Sequence, residues 1–162
     1  MPGSLEGITV LDLSWILSGP YCTMILCDLG AEVIKVERPG SGDRARWTGP
    51  FFANDESAYF MSLNRGKKSI TLNLQSPRGK DIFLSLVKHA DVVIENFVPG
   101  TAKKLAIDYT ALKEINPRLI YAAISGFGQT GPYAQRPALD VIVQGMGGIM
   151  SITGEPGRPP VR

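Results

Sequence analysis

Basic and aromatic side chains are concentrated in one stretch of the sequence, between residues 38 and 68. The cations of this stretch are Arg38, Arg44, Arg46, Arg65, Lys67 and Lys68. The aromatic residues among them are Trp47, Phe51, Phe52, Tyr59 and Phe60. Cationic groups beside aromatic rings suit a ligand that carries phosphates and a ring to stack on. A solvated basic surface whose aromatic residues return to the core fits the same composition, so the pattern by itself leaves both interpretations open.

The other candidate chemical groups are one carboxylate, two thiols and one imidazole. Asp140 follows the glycine-rich segment GFGQTGPYAQRPA and precedes an apolar run, so it is either a helix N-cap or a site residue, and the cap is the simpler interpretation. Cys22 and Cys27 lie in one apolar segment, and His89 is the only histidine. This set is too small for a zinc site or a disulfide framework, so we expect no metal and buried free thiols.

The overall composition excludes several classes of protein. The 162 residues are 44% hydrophobic and 20% charged, which is typical of a globular domain and not of a disordered chain. The net charge of +2 provides no strong field of one sign, so we expect no nucleic-acid partner. No apolar stretch reaches the roughly 18 residues of a membrane span, and MPGSLEG lacks the pattern of a signal peptide. We expect a cytoplasmic protein with no membrane association.

The hydrophobic pattern alternates between strands and helices. Short β-branched and apolar runs predict strands over residues 8–13, 31–37, 69–74, 90–96 and 118–126. Helices are predicted between Pro20 and Gly30, over 77–89 with Ser76 as N-cap, just after Gly100, from Asp108 to Asn116, and over 139–150. Residues 38–65 have no regular pattern and are expected to form a long functional loop. This order predicts an α/β fold with a largely parallel sheet flanked by helices.

Ligands of open α/β sheets bind beyond the carboxyl ends of the strands. The segments at that edge are residues 14–20, 37–46, 95–100 and 126–140. Glu37 ends the second predicted strand, where dinucleotide-binding domains place their ribose-binding acid. The glycine signature of those domains is absent, because Ser18-Gly19-Pro20 stands in its place and the proline has no backbone donor for a phosphate. A dinucleotide-dependent oxidoreductase is therefore a disfavoured alternative.

Six segments, taken in order along the whole chain, form a pattern that is more specific than any single motif. They are LDLSWILSGP, LGAEVIKVERPGSGDRAR, NRGKKSITLNL, ADVVIENFVPG, NPRLIYAAISGFGQTGP and RPALDVIVQGMGGIMSITG. In this order they resemble the family III CoA-transferases of the CaiB/BaiF type, a group that includes formyl-CoA and carnitine CoA-transferases and 2-methylacyl-CoA racemase. The resemblance implies a Rossmann-like CoA-binding domain, a homodimer of interlinked chains, acyl-CoA and carboxylic acids as substrates, and no covalently bound cofactor.

The resemblance also implies which residues form the site. The positions that match the family's CoA site are Leu17, Ser18, Arg38, Lys67, Asn96 and Lys104. By this resemblance they contact the phosphates and the pantetheine arm of coenzyme A. Asp140 matches an acidic position near the reacting thioester, which implies an auxiliary catalytic role.

Three positions depart from the pattern of the relatives. Ala106 stands where glycine is usual, and a stiffer local turn is expected there. Leu17 replaces the glutamine of formyl-CoA transferases, which argues against that substrate. Leu139 replaces the histidine that serves the racemases as a base, so a racemase is disfavoured.

The resemblance implies catalysis by an aspartate nucleophile that forms an acyl anhydride and then an aspartyl-CoA thioester. By this resemblance the aspartate follows the proline-rich turn after MSITG, on the order of ten residues beyond Arg162 for a loop of ordinary length. Residues 1–162 are therefore expected to be the N-terminal part of the large CoA-binding domain, able to shape a CoA site but inactive alone. The alternative function is that of a non-catalytic CoA-binding module.

Overall fold

The computed structural model describes residues 3–162, which divide into one compact unit ending at Ile124 and a second unit over Ser125–Arg162. The strands of the first unit are β1 (Thr9–Asp12), β2 (Glu32–Glu37), β3 (Phe52–Ala53), β4 (Glu56–Ser57), β5 (Lys68–Thr71), β6 (Val92–Glu95) and β7 (Ile120–Ala123). Its helices are α1 (Ser18–Asp28), α2 (Ala58–Asn64), α3 (Pro77–Val87), α4 (Thr101–Lys104) and α5 (Tyr109–Lys113). The second unit contains α6 (Asp140–Met146) and a 3-10 turn over Ile149–Ser151.

Five strands form one parallel sheet in the order β5-β2-β1-β6-β7. The chain adds strands outward from β1 on one side and then returns to add β6 and β7 on the other side. The strand order therefore reverses between β1 and β6, which is the topological switch point of a doubly wound fold. The predicted Rossmann-like α/β fold with a parallel sheet flanked by helices is confirmed.

Buried apolar side chains cover both faces of this sheet. Successive residues of a strand point to opposite faces. Leu11 and Val93 accordingly pack with Phe83 of α3 in one cluster, while Val10 and Ile94 pack in a second cluster against α1. Two-sided burial explains why apolar residues stand next to each other in the central strands, at Val10-Leu11 of β1 and Val92-Val93-Ile94 of β6.

The helix signals of the sequence were accurate at some positions and wrong at others. The Ser76 Oγ accepts a hydrogen bond from the Gly79 amide at 3.1 Å, and Pro77 is the first residue of α3, as predicted. Helix α1, however, begins at Ser18 and includes Gly19 and Pro20, which were predicted to break the chain before the helix. Proline is tolerated there because first-turn amides have no helical partner. A Cβ at Gly19 would lie 2.1 Å from the Ser14 Cβ, so only glycine fits this close approach.

The segment over residues 38–65 is more ordered than its composition predicts. A 3-10 turn covers Arg44–Trp47, a short antiparallel pair joins β3 to β4, and α2 follows directly. The Ser57 Oγ accepts from the Phe60 amide and donates to the Thr48 carbonyl, so one hydroxyl both caps α2 and ties it to the turn. The expectation of an irregular loop is therefore wrong for this part of the chain.

Three further details adjust the sequence interpretation. Asp140 is the first residue of α6 and Leu139 occupies the N-cap position, so the simpler interpretation of Asp140 as the cap is wrong. Cys22 and Cys27 are free, as expected, but half-buried instead of fully buried. Ala106 has a φ of 53°, a left-handed conformation that favours the glycine usual at this position.

Among residues 3–162, no helix is long and apolar enough to cross a membrane, and no cluster of His, Cys, Asp or Glu could hold a metal ion.

Candidate functional site

A cavity of about 440 Å³ lies in the first unit, at the carboxyl ends of the strands. Side chains that line it include those of Trp15, Arg38, Asn73, Gln75, Phe97 and Lys104. Trp15 follows β1, Arg38 follows β2, and Phe97 follows β6, so three different strands deliver these residues to one edge of the sheet. This edge, next to the switch point, is where open α/β sheets bind their ligands.

The two cationic residues that line the cavity, Arg38 and Lys104, are available to a ligand. The guanidinium carbon of Arg38 lies 4.4 Å from the centroid of the Trp15 ring, so the indole supports the cation without neutralising it. Lys104 is the last residue of α4. Within residues 3–162, neither Arg38 nor Lys104 has a carboxylate within ion-pair distance. An anion entering the cavity would therefore meet two positive charges that no protein group has already paired.

Lys67 is placed differently from Arg38 and Lys104. Its side chain is only 2% exposed, and its ammonium donates to Asp12 Oδ2 at 3.1 Å, the Pro20 carbonyl at 2.9 Å and Asn64 Oδ1 at 2.9 Å. Burial lowers the pKa of this ammonium, which the Asp12 carboxylate offsets only in part. An ammonium has three hydrogens, so none remains for a phosphate. The structure therefore places Lys67 as a tie between β1, α1 and α2, outside the lining of the cavity.

Leu17, Ser18 and Asn96 are not among the residues that line the cavity, but Asn96 contacts Trp15, which lines it. The Asn96 side chain accepts from the Trp15 amide at 2.8 Å and donates to the Trp15 carbonyl at 2.8 Å, which mimics a strand pairing. It also donates to Ser18 Oγ at 3.4 Å. Leu17 precedes α1 and is half-exposed. These contacts hold the backbone of Trp15 in place beside the cavity.

A buried group of charges lies beneath the same edge, and the sequence interpretation missed it. Lys35 Nζ lies 2.9 Å from Asp43 Oδ2 and 4.0 Å from Asp12 Oδ2. Asp12 also accepts hydrogen bonds from Thr23 Oγ1 at 2.6 Å and from Ser14 through both its amide and its hydroxyl. Burial alone would raise the pKa of Asp12, but the two ammonium groups and two hydroxyls more than offset this and hold it below its ordinary value. The available signal was a charged residue inside each of two apolar strands.

Glu37 is fully occupied by protein donors, although it borders the cavity. Arg46 donates to both its carboxylate oxygens at 2.8 Å, the Ser69 hydroxyl donates at 2.6 Å, and the Asp43 amide donates at 2.8 Å. Burial by itself would raise the pKa of Glu37, but the Arg46, Ser69 and Asp43 donors outweigh it and lower the pKa to about 2. Glu37 is therefore not free to bind a ribose. This is a further observation against the dinucleotide alternative.

Acidification is expected to remove the stabilisation that Glu37 supplies. Its folded-state pKa is about 2 against an ordinary 4.5, so this stabilisation is complete above pH 4.5 and is lost as the pH falls through about 2. The difference corresponds to roughly 3 kcal/mol, and solvent access to Arg46 reduces the expected contribution to about 2 kcal/mol. Urea unfolding between pH 7 and 2.5 measures it against Glu37→Gln, which does not titrate. The difference in free energy of unfolding between the unaltered protein and Glu37→Gln should become smaller as the pH falls. A constant difference would contradict the lowered pKa of Glu37.

Asp140 lies in the second unit. It is exposed, and its Oδ2 accepts a hydrogen bond from Gln144 one turn later in α6. Leu139, the residue that replaces the racemase histidine, is also exposed.

These features define a doubly wound α/β protein with a cationic, aromatic-lined cavity at its switch point. The family model for CoA-transferase family III matches residues 5–162, and the chain therefore belongs to this family. An acetyl-CoA:oxalate CoA-transferase of Acetobacter aceti is 54% identical to it over 160 residues. A succinyl-CoA:glutarate CoA-transferase of Mus musculus is 51% identical over 158 residues. These matches cover 99% and 98% of this chain but only 41% and 36% of the relatives, so the chain spans about two fifths of their length.

Solved structures give the same result. The crystal structure of a CAIB/BAIF family protein from Brucella suis superposes with a TM-score of 0.94 and 49% identity, covering 100% of this chain and 44% of that chain. The structure of the Rv3272 protein from M. tuberculosis superposes with a TM-score of 0.90 and 40% identity, covering 99% of this chain and 45% of that chain. The resemblance inferred from the sequence segments is thus confirmed at the level of family and fold.

Proposed function

We propose that the cavity binds the nucleotide end of coenzyme A. The observation that carries this proposal is that two cations, Lys104 and the Arg38 stacked on Trp15, line one cavity with no carboxylate within ion-pair distance among residues 3–162. The nucleotide end of coenzyme A combines phosphates with an adenine ring, which is the chemistry that cations beside aromatic side chains accept. Leu17, Ser18 and Asn96 lie in the segments next to Trp15 and Phe97 and are proposed to contact the pantetheine arm. Lys67 is assigned a structural role because its ammonium is already saturated.

The whole protein that carries this segment is proposed to transfer coenzyme A from an acyl-CoA to a carboxylic acid. Relatives at about half identity are named for such transfers, with acetyl-CoA or succinyl-CoA as donor and oxalate, glutarate or mesaconate as acceptor. All three acceptors are dicarboxylic acids, so a dicarboxylate is the proposed acceptor class here. The protein is further proposed to be a cytoplasmic homodimer of interlinked chains.

The proposed chemistry is nucleophilic catalysis by an aspartate. Its carboxylate attacks the donor thioester carbonyl, which forms a mixed anhydride and releases CoA thiolate. The thiolate attacks the aspartyl carbonyl of the anhydride, releasing the donor acid and forming an aspartyl-CoA thioester. The acceptor carboxylate attacks this thioester to give a second anhydride, and the thiolate then takes the new acyl group and frees the aspartate. The nucleophile is proposed to lie beyond Arg162, with Asp140 as an auxiliary acid, so the 162 residues alone are expected to be inactive.

The transfer proposal is tested with the full-length protein and labelled coenzyme A. We expect label to move from succinyl-CoA or acetyl-CoA to a dicarboxylate, with ping-pong kinetics because the enzyme carries the CoA between substrates. If no label is transferred from any donor tested, the transferase proposal is wrong.

The same preparation tests the racemase alternative. With 2-methylacyl-CoA in D₂O, we expect no exchange of the α-proton, because Leu139 cannot act as a base. Rapid exchange at that carbon, without CoA transfer, would instead assign the protein to the racemases.

A further inference from the structure

The backbone of Ser14–Ile16, which includes Trp15, is held by side chains from three other parts of the fold: Asn96 at Trp15, Lys35 at Ser14 and Asp43 at Ile16. Lys35 Nζ donates to the Ser14 carbonyl at 2.8 Å. The Ile16 amide donates to both Asp43 oxygens, at 3.1 and 3.3 Å. Ile16 has a φ of 67°, a strained conformation for a β-branched residue that persists only where surrounding contacts impose it. Lys35 and Asp43 therefore clamp the segment on either side of Trp15.

Asp43 also fixes the chain that carries Arg38. The Asp43 amide donates to Glu37 Oε2 at 2.8 Å, and the Gly42 amide donates to the Arg38 carbonyl at 3.0 Å, so residues 37–43 form a closed turn. Asp43 therefore joins the loop after β1 to the loop after β2. Those two loops supply the stacked pair of Trp15 and Arg38 in the cavity.

We propose that Lys35 and Asp43 are positioning residues of the cavity, which hold the Trp15 loop against the Arg38 turn and so set the affinity for the nucleotide. The inference rests on the proposed function, because the nucleotide is the ligand whose affinity is affected. Lys35 is only 1% exposed and no ligand can reach it. A buried ion pair contributes little net stability compared with apolar residues of similar volume, and the proposed role of this pair is to specify the conformation of the Trp15 loop.

The test uses the double variant Lys35→Met/Asp43→Asn. It removes both buried charges together with little change of volume, so no unpaired charge remains, and the new carboxamide at position 43 still offers an acceptor oxygen to the Ile16 amide. The Ser14 carbonyl, however, loses its ammonium donor. We expect the affinity for CoA, measured by calorimetry, to fall about tenfold, as for the loss of one well-placed polar contact.

A readout on Trp15 separates positioning from a general loss of fold. Trp15 and Trp47 are the two tryptophans of the 162 residues, and in the full-length protein the emission of Trp15 is isolated as the difference between each variant and the same variant with Trp15→Phe. We expect the double variant to show stronger acrylamide quenching and a shifted emission from Trp15 without any ligand, at unchanged far-ultraviolet circular dichroism. The matched control is Lys68→Met/Glu32→Gln, which removes an exposed ion pair between β5 and the same strand β2 and should change neither readout.

Each outcome has a defined meaning. Unchanged Trp15 quenching in the double variant, or changed quenching with unchanged CoA affinity, overturns the positioning role. If the unaltered protein does not bind CoA, the proposed function fails, and the Trp15 quenching still decides whether Lys35 and Asp43 hold the loop. If the double variant does not fold, the single variant Asp43→Ala, which leaves the Ile16 amide without its acceptor while Lys35 keeps Asp12 at 4.0 Å, is measured with the same two readouts and the same expected directions.

Discussion

Loss of the two cavity cations is expected to abolish most of the affinity for coenzyme A. In the variant Arg38→Met/Lys104→Met, we expect the dissociation constant to rise by about a hundredfold, because each charge-assisted hydrogen bond to a phosphate contributes on the order of 1.5 kcal/mol or more. Neither cation is committed to a carboxylate within residues 3–162, so their removal leaves no buried charge and the fold should survive. Isothermal titration calorimetry with CoA measures the effect.

The control variant is Lys103→Met, next to Lys104 on α4 but outside the cavity lining. It should bind CoA as the unaltered protein does. Pantetheine, which lacks the nucleotide, provides a second control, because its weaker binding should not respond to the loss of Arg38 and Lys104. Equal CoA affinity in the double variant and in Lys103→Met would contradict the assignment of the cavity to the nucleotide.

The chemical character of Arg38 offers a finer measurement within the same experiment. Arg38→Lys preserves the charge but loses the planar stack on Trp15 and the fork of donors that matches a phosphate. Its affinity is therefore expected to lie between those of the unaltered protein and Arg38→Met. Such an intermediate value would separate the contribution of charge from that of geometry.

Local signals in the sequence were sufficient wherever neighbouring residues determine the structure. Helix α3 was predicted because a Ser-Pro start precedes apolar residues at helical spacing, and the cap forms as expected. Helix α2 was missed because its seven residues stand in a segment rich in glycine, proline and charge, and its capping serine gives no distinct pattern there. The parallel sheet followed from the alternation of strands and helices.

The site was predicted only in part, because contacts between distant residues depend on strand register. Arg38 and Lys104 line the cavity, whereas the Lys67 ammonium lies outside it and donates a hydrogen bond to Asp12. The register sets Asp12 opposite Lys35, although the two residues lie on different strands with a whole helix between them in the sequence. No local pattern reveals such a pairing. The clearest hint was a charged residue inside an apolar strand, which in a two-sided sheet requires a buried partner.

The largest expected effect on stability comes from the removal of Asp12, the carboxylate that lies between the buried ammonium groups of Lys67 and Lys35. Asp12 is fully buried and accepts from Lys67 at 3.1 Å, with Lys35 at 4.0 Å. In Asp12→Ala, Lys67 loses its only carboxylate partner within ion-pair distance among residues 3–162, and the Thr23 hydroxyl loses its shortest contact, at 2.6 Å, and keeps the Gly19 and Pro20 carbonyls at 3.2 and 3.1 Å. Removing one partner of a buried ion pair leaves an uncompensated charge and costs about 3–5 kcal/mol. We expect urea unfolding to report a loss of that size.

The control is Asp28→Ala, which removes the carboxylate of an ion pair with Arg65 whose two side chains are about half-exposed. Solvent replaces the lost partner there, so we expect a change below about 1 kcal/mol. Asp12→Asn keeps the size of the side chain and one acceptor, so it should lose less than Asp12→Ala. A loss no larger in Asp12→Ala than in Asp28→Ala would mean that water reaches the buried ammonium groups. In that case the buried charges beneath the cavity would not act as a rigid support for it.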